Sequence, residues 1–514
     1  MNQSLWITSS KGKSYEKLNK EIKTKCLIVG AGIVGITTGY LLSKRGIDVT
    51  IIDADYIAYG ASGRNTGKLT PQHNVIYSKI KKKYGLEVAR EYYNANIEAI
   101  DLIERVIIEN NIECDFERVD SYIFTEKEEN ENVIREEFDV CKEIGIECEF
   151  TMECPLPINT YGAIKFNNTA QFNPKKYIDM LAEKIIENGA NIYEKTVAVD
   201  LEISDVSTVK TADGYEIHAE KVIICSHFPF YDGLSFYFTR LKPERSYVVA
   251  GKYEDYFPEA TFINIEKPSR SLRGYTNKDT GEKFLLIAGE KHKVAHNVDE
   301  DRYDILKKYG KDIFGVEKFD YQWSTQDYIT PDSMPYIGYL NSAENSILVA
   351  TGFGKWGLSN GTVAAIILSS LYLDKEFKYE SIFTPSRIEG YFSKEFISEN
   401  IDIGVQYIVG KLKVGEKEMP NRGEGKIIRT DKGRYGAYRD NKDHLHIVDI
   451  TCTHLGCELK WNSIEKSWDC PCHGSRFSID GNILEGPATI PLNHYGQGKN
   501  IINPNIINDR ELRY

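Results

Sequence analysis

The sequence predicts an α/β dinucleotide-binding domain, an α+β domain interleaved with it, and a small all-β module toward the C-terminal end. Three observations predict this. An apolar run, three spaced glycines and an amphipathic run form a β-α-β unit at residues 25–55. A second apolar strand, SILVAT, leads through Gly352 and Gly354 into another helical pattern. After residue 425 the periodicity shortens to strand-like runs separated by turn residues.

The β-α-β unit is KCLIVGAGIVGITTGYLLSKRGIDVTIIDAD. Gly30, Gly32 and Gly35 permit a tight turn, close approach of backbone to a pyrophosphate, and close packing of helix on strand. The helix start offers free N–H groups and positive potential to phosphate. Asp53 closes the second strand, where an acid can accept hydrogen bonds from ribose hydroxyls and repels a 2′-phosphate. The strand, helix and acid give the motif its required context, a Rossmann-like one. They leave NAD and FAD both open and disfavour NADP.

Length and composition bound the rest. A chain of 514 residues is too long for one core. With 41% hydrophobic and 27% charged residues it reads as globular. The net charge of -12 argues against a nucleic-acid partner, and the run Lys79 to Lys83 is too short to reverse that sign. The first 25 residues lack a continuous apolar stretch and a small-residue cleavage site, so a cytoplasmic location is expected. No run approaches the ~18 apolar residues of a spanning helix, in keeping with a mean hydropathy of -0.40.

Of ten cysteines, four fall between Cys452 and Cys472. The others, Cys26, Cys114, Cys141, Cys148, Cys154 and Cys225, lack ligand spacing and read as buried thiols. CTHLGC at 452–457 and CPCHGSRF at 470–477 give Cys-x-His, fifteen residues, then Cys-x-x-His. Two cysteines and two histidines can also hold zinc. The paired glycine-containing loops, the spare cysteines Cys457 and Cys472, Ser475 after His473, and the later GPATIPL resemble Rieske modules instead. That resemblance implies a 2Fe-2S cluster held by Cys452, His454, Cys470 and His473. It also implies a Cys457–Cys472 disulfide clamping the loops, as in cytochrome bc complexes. Ser475 matches a hydroxyl that donates to cluster sulfur, whereas Phe477 stands where high-potential members carry a second such donor, a tyrosine. A tempered potential is expected. A Rieske oxygenase is set aside, because that group generally lacks the spare cysteine pair and the remaining chain reads as flavoprotein.

The glycine motif, TPDSMPYIG at 330–338 and TGFGKWGLSNGT after it resemble the D-amino-acid oxidase superfamily, which includes glycine oxidase and monomeric sarcosine oxidase. The resemblance covers about the first 400 residues. It implies FAD, with cofactor contacts at Gly30, Gly32, Gly35 and Asp53, at Ser62, Arg64 and Asn65 of GASGRNTGKLTPQH, and at Gly352, Gly354, Lys355, Gly357 and Leu358. His73 reads equally as a site residue or a satisfied structural histidine. Amino-acid-specific members often place an arginine three residues before the threonine of TPD, to pair with the substrate carboxylate. Here that residue is Asp327, which suits a cationic amine unless Arg64 or Arg245 anchors a carboxylate. Asp327 reads equally as a helix cap or surface acid. No cysteine lies between Ser226 and Thr451, so the cysteinyl attachment of sarcosine oxidase is excluded and FAD is expected to be noncovalent.

The domain division that follows is an N-terminal extension at 1–23, an FAD-binding domain at 24–80, 150–228 and 320–390, and a substrate or cap domain at 81–149 and 229–319. A linker covers 391–424 and the Rieske domain 425–514. The whole resembles a Rieske-fused branch of the superfamily, which implies an enzyme oxidising a C–N bond of a small amine or amino acid by hydride transfer to flavin. The cluster would then pass electrons singly to an external acceptor, a ferredoxin-like protein or quinone. The alternative is a flavin and iron-sulfur adaptor for a ferredoxin, quinone or nicotinamide partner without amine chemistry.

Overall fold

A computed structural model describes residues 3–10, 12–233, 235–296, 300–341, 344–387, 400–407, 415–416, 418–430 and 433–498. Half of the expected linker lies outside the described residues. The chain divides into two compact units: Met1–Pro229 with Arg245–Lys291 and Arg302–Ile388, and Phe230–Glu244 with His292–Asp301 and Glu389–Tyr514.

The first unit is built on two sheets. In one, the strands run in the order Tyr336–Asn341, Glu344–Thr351, Glu216–Ile224, Ile22–Val29, Val49–Ile52 and Asn191–Tyr193. The central pairs are parallel, with Val29 opposite Ile224 on one side and Ile52 on the other. Cys26, Leu27, Ile28, Ile223 and Ile224 are fully buried, as a parallel strand covered on both faces requires. The helix Ile33–Ser43 packs against Pro174–Glu187 and Ser359–Tyr372. Ten of its eleven residues are buried, so it is apolar all round rather than along a stripe. The last of these helices starts at Ser359.

The other sheet orders Phe319–Ile329, Lys242–Lys252, Lys283–Lys293, Ser271–Thr276, Ala260–Asn264, Glu117–Phe124, Ala163–Gln171 and Lys68–Leu69, with Cys148–Thr151 beside Ala163–Gln171. The sequence division places 163–171 and 320–329 in the FAD-binding domain, yet both stretches pair here. Their apolar patterning marks them as strands but does not say which sheet they join. The stretches 230–244 and 292–301, expected in the cap domain, group with the C-terminal unit.

The second unit contains two four-stranded antiparallel sheets. One orders Gly425–Thr430, Gly433–Arg439, Leu445–Asp449 and His494–Gly498, and the other Lys460–Asn462, Ser467–Asp469, Arg476–Phe477 and Ile483–Glu485. Trp468, Phe477, Leu459 and Val448 form the core together with all four C-terminal cysteines. Among the described residues, no helix is long and apolar enough to cross a membrane.

Candidate functional site

The glycine loop has the geometry its spacing predicts. Gly30 has φ +113°, and a Cβ there would lie 2.5 Å from the Cys225 carbonyl oxygen. At Gly35 a Cβ would lie 1.8 Å from the Gly30 oxygen, so neither position tolerates a side chain. Gly32 is the extended N-cap of Ile33–Ser43 and brings no side chain to it. Ser62 supplies one from elsewhere, its Oγ accepting from Ile33 N at 3.0 Å. Asp53 accepts from the Ala31 N–H at 2.6 Å and the Asp55 N–H at 2.8 Å. Burial raises its pKa to about 6 against those two bonds. A glycine turn without side chains at a helix start, with a tethered buried acid at the end of the next strand, fits a dinucleotide cofactor.

Asn65 staples its own loop, donating to Ala61 and Ser62 oxygens and accepting from Gly67 N. The Arg64 carbonyl accepts from Trp323 Nε1 at 3.0 Å, tying this loop to the strand that carries Asp327. Asp327 is buried on that strand, so it is neither a helix cap nor a surface acid. Arg245 is buried too and donates to Ser324 Oγ. The same strand meets the second glycine turn, where Gly354 N donates to Tyr328 O at 3.1 Å and Ile329 bridges Phe353. Gly352, Gly354 and Lys355 all have positive φ, 77°, 57° and 77°. Lys355 Nζ donates to Ser246 Oγ at 2.8 Å. Gly357 and Leu358 lead into the helix, Leu358 as its N-cap residue.

His73 resolves as structural. One ring nitrogen lies 2.6 Å from Tyr92 Oη, and the other faces Thr70 O at 2.8 Å and Ser359 Oγ at 2.9 Å. Burial drives its pKa down to about 3, so it is neutral, and its ring stacks on Trp356.

Sequence reasoning missed Lys68. It lies on a two-residue strand directly after the glycine-rich loop, hydrogen-bonded to Ser271 Oγ, with Nζ 5.8 Å from the Trp356 ring centre. Burial, and then the Arg273 guanidinium, bring its pKa down to about 7. Arg273 is pinned by the carbonyls of Thr66 and Phe172, and it passes where a Cβ on Gly67 would stand. Nothing in the local sequence marks Lys68, because Ser271 is 203 residues away.

In the second unit both cysteine loops converge. Cys457 and Cys472 form a disulfide, as the resemblance implied. The Cys452 and Cys470 thiols share a hydrogen bond that lowers the pKa of Cys452 and raises that of Cys470, and the Ser475 hydroxyl also bonds Cys452. The imidazoles of His454 and His473 stand edge to face with centroids 5.1 Å apart. Burial keeps both neutral, lowering them to about 4 and about 3, the state a metal-bound imidazole requires. His473 Nδ1 is buried with no hydrogen-bond partner among the described residues, as expected of a nitrogen reserved for a metal. Two thiols, two neutral imidazoles and an orphaned ring nitrogen fit a 2Fe-2S cluster of the Rieske kind. Phe477 is fully buried and brings no hydroxyl. The ring of Phe238, from the stretch expected in the cap domain, meets His473 edge-on at 5.7 Å. The other six cysteines are all buried.

Comparison with known proteins agrees with both halves. The family model for FAD dependent oxidoreductases (DAO) matches residues 25–371, and that for the Rieske [2Fe-2S] domain matches 412–496. A putative Rieske 2Fe-2S iron-sulfur protein of Bacillus subtilis, YhfW, is 41% identical over 494 residues, covering 95% of this chain and 97% of its own. Gamma-glutamylputrescine oxidoreductase of Escherichia coli is 24% identical over 71% of this chain and 87% of its own. Among solved structures, glycine oxidase of Geobacillus kaustophilus superposes with a TM-score of 0.59 at 19% identity, covering 71% of this chain and 99% of that one. The chain belongs to the DAO family of FAD-dependent oxidoreductases and carries a Rieske 2Fe-2S domain at its C-terminal end.

Proposed function

We propose that this enzyme is a dehydrogenase that oxidises a carbon–nitrogen bond of a small amine or amino acid and hands the electrons singly, through the Rieske centre, to an external acceptor. The observation that carries this reading is that one chain holds both a two-electron and a one-electron cofactor site, each with donors that fit its group. Bound FAD would accept hydride and the cluster one electron at a time. Oxidation of R2CH–NHR′ to the imine releases two electrons and two protons. One proton leaves with the hydride, and the other, from nitrogen, needs a base.

Lys68 has the properties of that base. Its amine is held by Ser271 and is neutral above a pH of about 7. Asp327 supplies a buried carboxyl group suited to an ammonium group, while Arg245, held by Ser324, and Arg64 are the candidates for orienting a carboxylate. The relative named for gamma-glutamylputrescine, an amine, supports the cationic substrate that Asp327 favours. Beside Lys68 stands the Trp356 ring, on which the neutral His73 stacks.

Anaerobic mixing of the holoprotein with a panel of amines and amino acids, read at flavin and cluster wavelengths, tests the proposal. At least one amine is expected to bleach both chromophores. A panel in which no donor bleaches the flavin contradicts the reading.

A further inference from the structure

The C-terminal unit holds a second group of metal-ligating side chains that the cluster does not use. Asp480 lies in the turn between Arg476–Phe477 and Ile483–Glu485, held there by Asp480 N to Ser478 Oγ at 3.2 Å and Gly481 N to Ser478 O at 3.0 Å. Its Oδ1 faces two imidazole nitrogens at once, His446 Nδ1 at 2.7 Å and His494 Nε2 at 3.4 Å. All three donor atoms lie within 4.8 Å of one another. The histidines come from the neighbouring strands Leu445–Asp449 and His494–Gly498, where Val448 pairs with His494. None of the three belongs to the loops carrying Cys452, His454, Cys470 and His473.

We infer that His446, Asp480 and His494 form a binding site for a divalent transition ion of the zinc type. Two nitrogens and one carboxylate oxygen make a three-ligand set for such an ion, with water completing the shell. Bonds of about 2.0 Å in a tetrahedron place the donors roughly 3.3 Å apart, so the site needs shifts of about an ångström or less around most pairs. His494 is partly exposed and is free to make them.

The surroundings of His446 separate this reading from an ordinary histidine–aspartate hydrogen bond. Its side chain is almost fully buried, and its other nitrogen, Nε2, has no hydrogen-bond partner among the described residues. Asp440 Oδ2 stands 3.8 Å from that nitrogen. When a metal occupies Nδ1, the ring proton resides on Nε2 and points at this carboxylate, the carboxylate–histidine–metal arrangement that orients metal-bound imidazoles. His444, whose Nδ1 lies 3.1 Å from Asp440 Oδ2, holds the carboxylate in place from the far side. The bound ion clips the strands carrying His446 and His494, which belong to one sheet, to a turn of the other.

The test is isothermal calorimetry of ZnCl2 into the untagged holoprotein, with cluster absorbance followed in parallel. The parent is expected to bind one equivalent at micromolar concentration or tighter with its cluster spectrum unchanged. His494→Ala, at the more exposed ligand, and Asp480→Asn are each expected to weaken that binding more than tenfold while flavin and cluster stay in place. Absence of a saturable equivalent in the parent, or undiminished binding in either variant with its cofactors intact, overturns the site.

Discussion

In the C-terminal unit the four candidate cluster ligands sit on two short loops fifteen residues apart, whereas in the flavin half Lys68 finds its hydrogen-bond partner Ser271 203 residues away. The first plan makes the site nearly independent of its surroundings: a disulfide joins the loops, and the sulfur and nitrogen donors face one another across them. The second makes the site a property of the whole unit. Lys68 is what it is because Ser271 and Arg273 are packed around it, and Asp327 is buried because its strand runs beside the second glycine turn. A local change should therefore empty the cluster site and leave the flavin, while changes in the flavin half should act in degrees.

The largest effect is expected from Cys470→Ser, because an alcohol is a poor substitute for a thiolate ligand to iron. Iron content and cluster absorbance should fall to background while flavin per chain stays at the parent level. Loss of both cofactors together would show that the two sites are less independent than their construction implies.

Lys68→Met probes the distributed site. In the parent, the rate of flavin reduction at saturating amine should rise as pH passes upward through about 7, since Lys68 is protonated below that value and able to take a proton above it. The variant should lose that rise and be slower by roughly a hundredfold at pH 8, the scale of a lost general base. An unchanged pH profile in stopped-flow measurements removes Lys68 from the reaction.

A smaller change is expected at the glycine loop. Gly30→Ala places a side chain at φ +113°, 2.5 Å from a carbonyl oxygen. Such strain costs on the order of 1–3 kcal/mol, which, carried into the FAD-bound state, corresponds to roughly a 5- to 150-fold loss of FAD affinity. Flavin retention after gel filtration should drop while the cluster spectrum persists.

The smallest is Phe477→Tyr. A hydroxyl at this buried position can donate toward the cluster, draw electron density from iron and raise the potential by something on the order of tens of millivolts. A redox titration without upward movement discredits the hydrogen-bond argument.

The same contrast decides what could be read before the structure. The convergence of the Cys-x-His and Cys-x-x-His loops was legible because each loop is local in sequence, and the turn of Gly30, Gly32 and Gly35 with Asp53 because a β-α-β unit is local too. The contacts of Ser62 with the helix start and of Arg64 with Trp323 are longer in range, and only resemblance marked those residues. Asp327 was legible as an unusual residue at a family position, but its burial was not, since burial depends on strands that pair across the unit. Lys68 left no local trace. The strands 163–171 and 320–329 show why domain boundaries were harder still: an apolar period identifies a strand and says nothing about its sheet. The metal-site residues His446, Asp480 and His494 are separated by 34 and 14 positions without a recognisable motif, and only the fold brings them together.

The central claim is that electrons from a C–N bond enter at the flavin and leave through the cluster. The most direct measurement is rapid freeze-quench electron paramagnetic resonance after anaerobic mixing with an amine that bleaches the flavin. The account predicts that the signal of the reduced cluster grows in as the flavin is reduced, and that Cys470→Ser shows flavin reduction with no such signal. A flavin that is fully reduced while the cluster of the intact protein remains oxidised would contradict it.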